Sequence, residues 1–212
     1  MCDTAIEEVY YQRYYAYYNG DYYAKNADNE WLYEEDGETM IYANNYKYST
    51  LRKYLTQDFY NRAFSNKQKT LINLTEVDNS VQTTDGVDEK YACENTNDYV
   101  FALSYADFNN SEYGLTDPLN CCFYFTDFAK ATGVVTYTKE YWDWFCCMDP
   151  EDPDIAPYVN TGMYLLRSPC YYDYGWDVGV GDAITYLDCG NLTVGWVDYA
   201  NLGVIPAMYV TL

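Results

Sequence analysis

The 212-residue chain contains no histidine. That removes imidazole general acid–base chemistry, Ser-His-Asp and Cys-His nucleophile pairs, and every zinc site with a histidine ligand. Basic residues are scarce: 12 Lys and Arg stand against 33 Asp and Glu, for a net charge of -21. Such a chain repels phosphate backbones and anionic lipid, so neither nucleic acid nor an acidic membrane surface is an expected partner. Cations, basic partners and neutral ligands such as sugars stay open. No apolar run reaches the length of a membrane span. The opening "MCDTAIEEVYYQRYYAYY" (1–18) has neither the basic start nor the apolar stretch of a signal peptide. G-x-G-x-x-G, the Walker A pattern and G-x-S-x-G are missing. No cofactor is expected, and an enzyme here would work through carboxylates, Tyr, Lys or Cys.

The eight cysteines are Cys2, Cys93, Cys121, Cys122, Cys146, Cys147, Cys170 and Cys189, and none forms C-x-x-C. Zinc-ribbon, c-type haem and thioredoxin-like readings lack their spacing. The even count suits disulfides in an oxidising compartment. Cys170 and Cys189 flank a region read as a hairpin and are expected to lie within bridging distance if the chain is exported.

What the chain has in excess is tyrosine, 29 copies, within a hydrophobic fraction of 49%. That fraction supports a packed core. Most of the tyrosines read as amphipathic filler for strands and half-buried faces. Others suit a binding surface, because Tyr gives rigid contact area with a polar tip.

The pattern predicts a mixed α+β fold. Residues 5–18 could form a helix carrying Ile6, Val9, Tyr10, Tyr14 and Tyr17 on one side. "WLYEEDGETMIYA" (31–43) reads as a hairpin around Asp36-Gly37. "STLRKYLTQDFYNRAF" (49–64) is the clearest helix: Ser49 caps it, and Leu51, Tyr54, Leu55, Phe59 and Arg62-Ala63 follow one stripe. "SNKQKTLI" (65–72) restarts with a Ser-x-x-Gln capping box. Residues 77–98 read as a polar loop, 99–104 as a buried strand, 105–110 as a helical turn, and 125–133 as a short helix from Thr126 to Gly133. From Tyr164 on, "YLLR", "WDVGV", a Gly181-Asp182 turn, "AITYL", "LTVGWVDY" and "IPAMYVTL" read as an antiparallel meander. Residues 1–28 are an irregular or helical extension, and 29–212 form one domain.

Three stretches carry candidate chemistry. In "YLLRSPC" (164–170), Tyr164 and Leu166 face one side of a strand, Leu165 and Arg167 the other. A guanidinium there either reaches solvent, clamps a ligand, or ties loop carbonyls and a carboxylate together. The structural reading is preferred, because the planar five-donor fork suits that task. Ser168, held extended by Pro169, ends the strand. In "CYYDYGW" (170–176), Tyr171, Tyr172, Tyr174 and Trp176 with Asp173 form either a packed edge or an aromatic platform for sugar rings or a protein partner. "DPEDPD" (149–154) could offer hard oxygen ligands to calcium, but it lacks EF-hand spacing and a Gly turn, so it reads as a solvated acidic loop. No metal site and no catalytic residue is assigned.

Taken in order, "NEWLYEEDG" (29–37), "STLRKYLTQDFYNRAFS" (49–65), "DYVFALS" (98–104), "YLLRSPC" (164–170) and "GVIPAMYV" (203–210) resemble a family of uncharacterised bacterial domains common in gut Firmicutes. Its members run through P-I-E-W-x-V-L, S-T-L-R-K-W-L-N-x-D-F-Y-N-x-A-F-S, D-x-V-F-L-L-S, W-W-L-R-S-P-G and G-V-R-P-A-L-W. Tyr54, Tyr164 and Tyr209 replace family tryptophans, Cys170 replaces a Gly, and Ile205 replaces an Arg. A site needing both family arginines would be broken here. The closing strands of the family resemble the C-type-lectin-like fold shared with formylglycine-generating enzymes and with variable proteins of diversity-generating retroelements. The resemblance implies short helices packed on an antiparallel sheet, Arg167, Ser168, Pro169 and Pro206 in the scaffold, and placement at a cell surface or outside the cell. It implies a non-enzymatic module binding a glycan or protein ligand. The alternatives are an enzyme on the formylglycine-generating-like scaffold and a diversified binding protein.

Overall fold

Asn19 and Gly20 take positive φ, 50° and 94°, and reverse the chain between strands β1 (Tyr15–Tyr18) and β2 (Asp21–Ala24). Asn-Gly is the dipeptide that favours this tight antiparallel turn. The helix expected over 5–18 therefore does not hold for residues 15–18. The computed structural model describes residues 10–115, 124–125, 127–131, 133–170, 183–188, 191–198 and 202–211. The 31–43 segment folds back as expected, but through the single bridge Tyr33–Met40 rather than regular strands, and the bridges Lys25–Trp31 and Tyr23–Tyr42 join it to residues 23–25. Asp36 makes the turn, its carboxylate accepting from the Glu38 and Thr39 amides and the Thr39 hydroxyl.

Helix α1 (Thr50–Lys53) starts on Ser49, whose hydroxyl accepts from the Arg52 amide. It runs on through a π-helical segment (Tyr54–Phe59) into α2 (Tyr60–Ala63). The wider π turns bring Leu51, Leu55 and Phe59, each four residues apart, onto the buried side. Arg62 and Ala63, expected on that stripe, are exposed. Helix α3 (Asn66–Lys69) has the predicted capping box between Ser65 and Gln68.

The region read as polar loop is more ordered than its composition suggests. Strand β3 (Thr75–Val77) pairs antiparallel with β4 (Thr96–Asp98), enclosing two short 3-10 turns. Strand β5 (Phe101–Ala102) follows, then α4 (Tyr105–Asn109), capped by Ser104, and α5 (Asp127–Ala131). Gly133 closes the stretch after α5 at φ 100°. Thr126, expected to cap α5, lies outside the described residues, as do "WDVGV" and the Gly181-Asp182 turn.

The main sheet has four strands in the order β8 (Asn191–Trp196), β7 (Ala183–Asp188), β6 (Tyr164–Pro169), β9 (Gly203–Val204). β6, β7 and β8 form the expected antiparallel meander, but β9 returns parallel to β6. β10 (Pro206–Ala207) then leaves this sheet to pair with β5. Strand β6 is buried along its whole length. Leu165 joins a core of Tyr11, Leu51, Leu55, Phe59, Val100 and Val204, while Tyr164 and Leu166 join Phe108, Phe125 and Ile205. This is the alternation expected of a strand. A third cluster, Tyr137, Trp142 and Val159, supports residues 134–163. The fold is α+β. No helix among the described residues is long and apolar enough to cross a membrane.

Candidate functional site

The Arg167 side chain is 5% exposed. Its Nη1 donates to the Ala102 carbonyl and to Asp107 Oδ2, both at 2.7 Å, and its Nη2 to the Asp78 carbonyl at 3.2 Å. The Nε is buried without an acceptor. The same Asp107 oxygen accepts from the Ser104 amide and hydroxyl, so one carboxylate both caps α4 and pairs the guanidinium. Ser168 accepts from the Tyr105 amide and donates to the Thr83 carbonyl. Pro169 on β6 pairs in register with Ile184 on β7. Pro206 lies opposite Ala102, the residue whose carbonyl Arg167 holds and whose amide donates to the Tyr46 hydroxyl. Arg167, Ser168 and Pro206 thus meet around one short stretch, residues 102–107. Tyr171, Tyr172, Asp173, Tyr174 and Trp176 lie outside the described residues, and so does Cys189, the partner proposed for Cys170.

A second ion pair fixes the start of the long helix. Arg52 Nε lies 3.0 Å from both oxygens of Asp98, and its Nη2 is 2.7 Å from Oδ1. Asp98 is almost fully buried and also accepts from Thr96. The STLRK stretch therefore ties α1 to β4 through its arginine as well as through its apolar stripe.

A separate concavity lies elsewhere. A cleft of about 600 Å³ opens between the 34–36 turn and the 80–94 segment, and five carboxylates line it: Glu34, Glu35, Asp36, Glu89 and Glu94. Lys47 sits among them, 2.8 Å from Glu94 and 3.8 Å from Glu35. The bond to Lys47 lowers the Glu94 carboxyl below its usual range, and the Lys47 ammonium is raised by the same contact. Cys93 lines the wall, and burial pushes its thiol up to about 11. It is protonated at neutral pH, which makes it a poor nucleophile. Among the described residues no group of three or more Cys, Asp and Glu side chains is arranged to hold a metal ion.

Aromatic side chains rise next to this cleft in the sequence. Tyr33 precedes Glu34, and Tyr91 falls between Glu89 and Ala92. Tyr91 meets Tyr42 edge-on at 4.9 Å, and Tyr42 stacks on Tyr23 at 4.9 Å. Burial pushes the Tyr42 hydroxyl up to about 12. Tyr91 donates to Asp21 at 2.7 Å, and Lys90 reaches the same oxygen at 3.1 Å. Tyr17 and Tyr18 on the β1–β2 hairpin, Tyr14 just before it and Tyr33 on the 31–43 segment stay open to solvent, with Tyr17 60% exposed. Tyr18 packs against Trp31, whose other partner is Lys25, 4.1 Å from the ring centre. Sequence reading passed over this face because "EEDGE" and the 77–98 stretch look like solvated charge. The signal that was present is density: four of the five residues at 34–38 are acidic.

No curated protein and no solved structure matches the chain. A family model described as a domain of unknown function, DUF6273, matches residues 21–210, nearly the whole chain, and the protein belongs to that family.

Proposed function

We propose that this domain is a non-enzymatic binding module, acting at a bacterial cell surface or outside the cell on a glycan or protein ligand. The supporting observations are the solvent-facing Tyr17 and Tyr18 of the β1–β2 hairpin and a carboxylate-lined cleft of about 600 Å³. Aromatic faces stack on sugar rings and on protein side chains at low entropic cost, and carboxylates accept from hydroxyl and ammonium donors. Tyr171, Tyr172, Asp173, Tyr174 and Trp176 join the proposed ligand surface on sequence grounds. Arg167, Ser168, Pro169 and Pro206 are assigned to the scaffold. The buried fork of Arg167 is already engaged with two carbonyls and a carboxylate, which leaves it poorly placed to take a ligand. A C-type-lectin-like fold would fit this division of labour.

The test is retention on a cell-wall fraction and on an array of neutral glycans. Parent protein should be retained. A Tyr17→Ser/Tyr18→Ser variant and a Tyr171→Ser/Tyr172→Ser/Tyr174→Ser variant are compared at matched melting temperature. Loss of retention in either folded variant supports the reading. Equal retention by both, or none by the parent, overturns it.

A further inference from the structure

Trp144 is 90% exposed, the most open of the large hydrophobic side chains among the described residues. It sits on a short π-helical turn (Tyr141–Phe145) whose Trp142 is buried against Tyr137 and Val159. The two tryptophans stand two positions apart and so point to roughly opposite sides of the turn. Trp142 anchors the turn: it meets Tyr137 at 5.7 Å and Tyr141 at 5.6 Å, both edge-on. The Met148 amide donates back to the Trp142 carbonyl. The exposed indole is therefore carried on a packed base rather than on a free loop. Met148, half exposed, follows in the chain.

Exposed carboxylates surround it in sequence: Glu140, Asp143, Asp149, Glu151, Asp152 and Asp154. Lys139 is the sole basic residue between 134 and 163, and Glu151 already pairs with it. We propose that Trp144 and these carboxylates form a docking surface for a protein partner that presents arginine. A guanidinium stacks on an indole face and forms paired hydrogen bonds to carboxylates with the same planar group. The other occupants of an exposed Trp fit worse. Anionic lipid and nucleic acid are repelled by the same charges. A second copy of the chain brings another net charge of -21 to the contact. This surface uses segments different from those of the hairpin and cleft, and it does not depend on the reading given to them.

The experiment titrates the full chain into a fluorescein-labelled peptide with six arginines alternating with glycine, read by anisotropy at fixed ionic strength. The lysine analogue is run alongside. The arginine peptide should bind more tightly than the lysine peptide. Trp144→Ala should weaken it by at least about threefold with no change in melting temperature, and Trp144→Phe should restore most of the loss. Asp58→Asn/Glu112→Gln, which removes two exposed carboxylates outside both the cleft and the Trp144 segment, should leave binding as in the parent. Equal binding by parent and Trp144→Ala overturns the proposal. So does equal affinity for the two peptides, or an equal loss in the Asp58→Asn/Glu112→Gln variant, either of which marks diffuse charge attraction.

Discussion

The Tyr11 hydroxyl lies 2.7 Å from the backbone carbonyl of Arg167, 156 residues further along the chain, and 2.9 Å from the carbonyl of Asn44. Tyr11 is fully buried, and burial raises its hydroxyl well above the ordinary tyrosine range. It stands ahead of residue 21, where the family match begins, yet it belongs to the main core cluster. Tyr11→Phe keeps the ring and leaves both carbonyls without this donor. A cost of about 1–3 kcal/mol is expected. For a chain of this size each kcal/mol lowers the melting temperature by roughly 2–4 °C. Calorimetry of the variant checks it, and an unchanged melt would mean that the two carbonyls find other donors.

Phe125 is wedged between Gly162 and Gly203. A Cβ built on either glycine would stand 2.4 Å from its ring, and the same ring stacks on Tyr164 at 4.7 Å. Gly203→Ala should therefore destabilise by about 1–3 kcal/mol through overpacking. Phe125→Leu in the same background should recover part of the loss, because a smaller side chain opens the space. Chemical denaturation of the single and double variants measures both effects.

Cys93 and Cys147 differ in environment. Burial pushes the Cys93 thiol up to about 11, whereas Cys147 is exposed. Iodoacetamide at pH 7.5 should label Cys147 far faster than Cys93, and Cys93 labelling should accelerate as pH climbs toward 11. Peptide mapping by mass spectrometry reports the two rates. Equal labelling at neutral pH would contradict the burial.

The Asp36 carboxyl is lowered by its bonds to the Thr39 hydroxyl and to the Thr39 and Glu38 amides. A lowered folded-state value stabilises the turn above the ordinary aspartate value and loses that contribution as pH falls through the folded one. The Thr39 amide resonance should titrate with a midpoint below the ordinary aspartate value. Asp36→Asn should remove that acid transition from the Thr39 signal. A midpoint at or above the ordinary aspartate value in the parent would contradict this.

Much of the local structure was legible before folding. The Ser49 and Ser65 caps, the α4 turn and the alternation of Leu165 against Tyr164 and Leu166 all follow from short-range chemistry. The misses have physical causes. The tyrosine run at 10–18 matches helix spacing as well as strand spacing, and the Asn19-Gly20 turn signal decides the matter. The stripe on the long helix drifted because the π segment widens the turn. The β6–β9 parallel pairing and the β5–β10 pairing depend on contacts distant in sequence, which no local pattern encodes. The acidic cleft arises only when the 34–36 turn meets the 80–94 segment, and each alone looks like ordinary solvated charge.

Thermal unfolding of Arg167→Ala and Arg167→Lys, measured beside ligand retention, decides whether the R-S-P corner serves the scaffold while ligands bind elsewhere. Removing the guanidinium takes its charged partner from the Asp107 carboxylate, which keeps only the Ser104 donors, and takes a donor from each of the Ala102 and Asp78 carbonyls. Breaking such a buried pair costs about 3–5 kcal/mol, and lysine restores little because a point charge cannot replace a planar fork. The account predicts a large drop in melting temperature for both variants, with retention per folded molecule unchanged at low temperature. Two variants that melt like the parent but no longer hold ligand would contradict it.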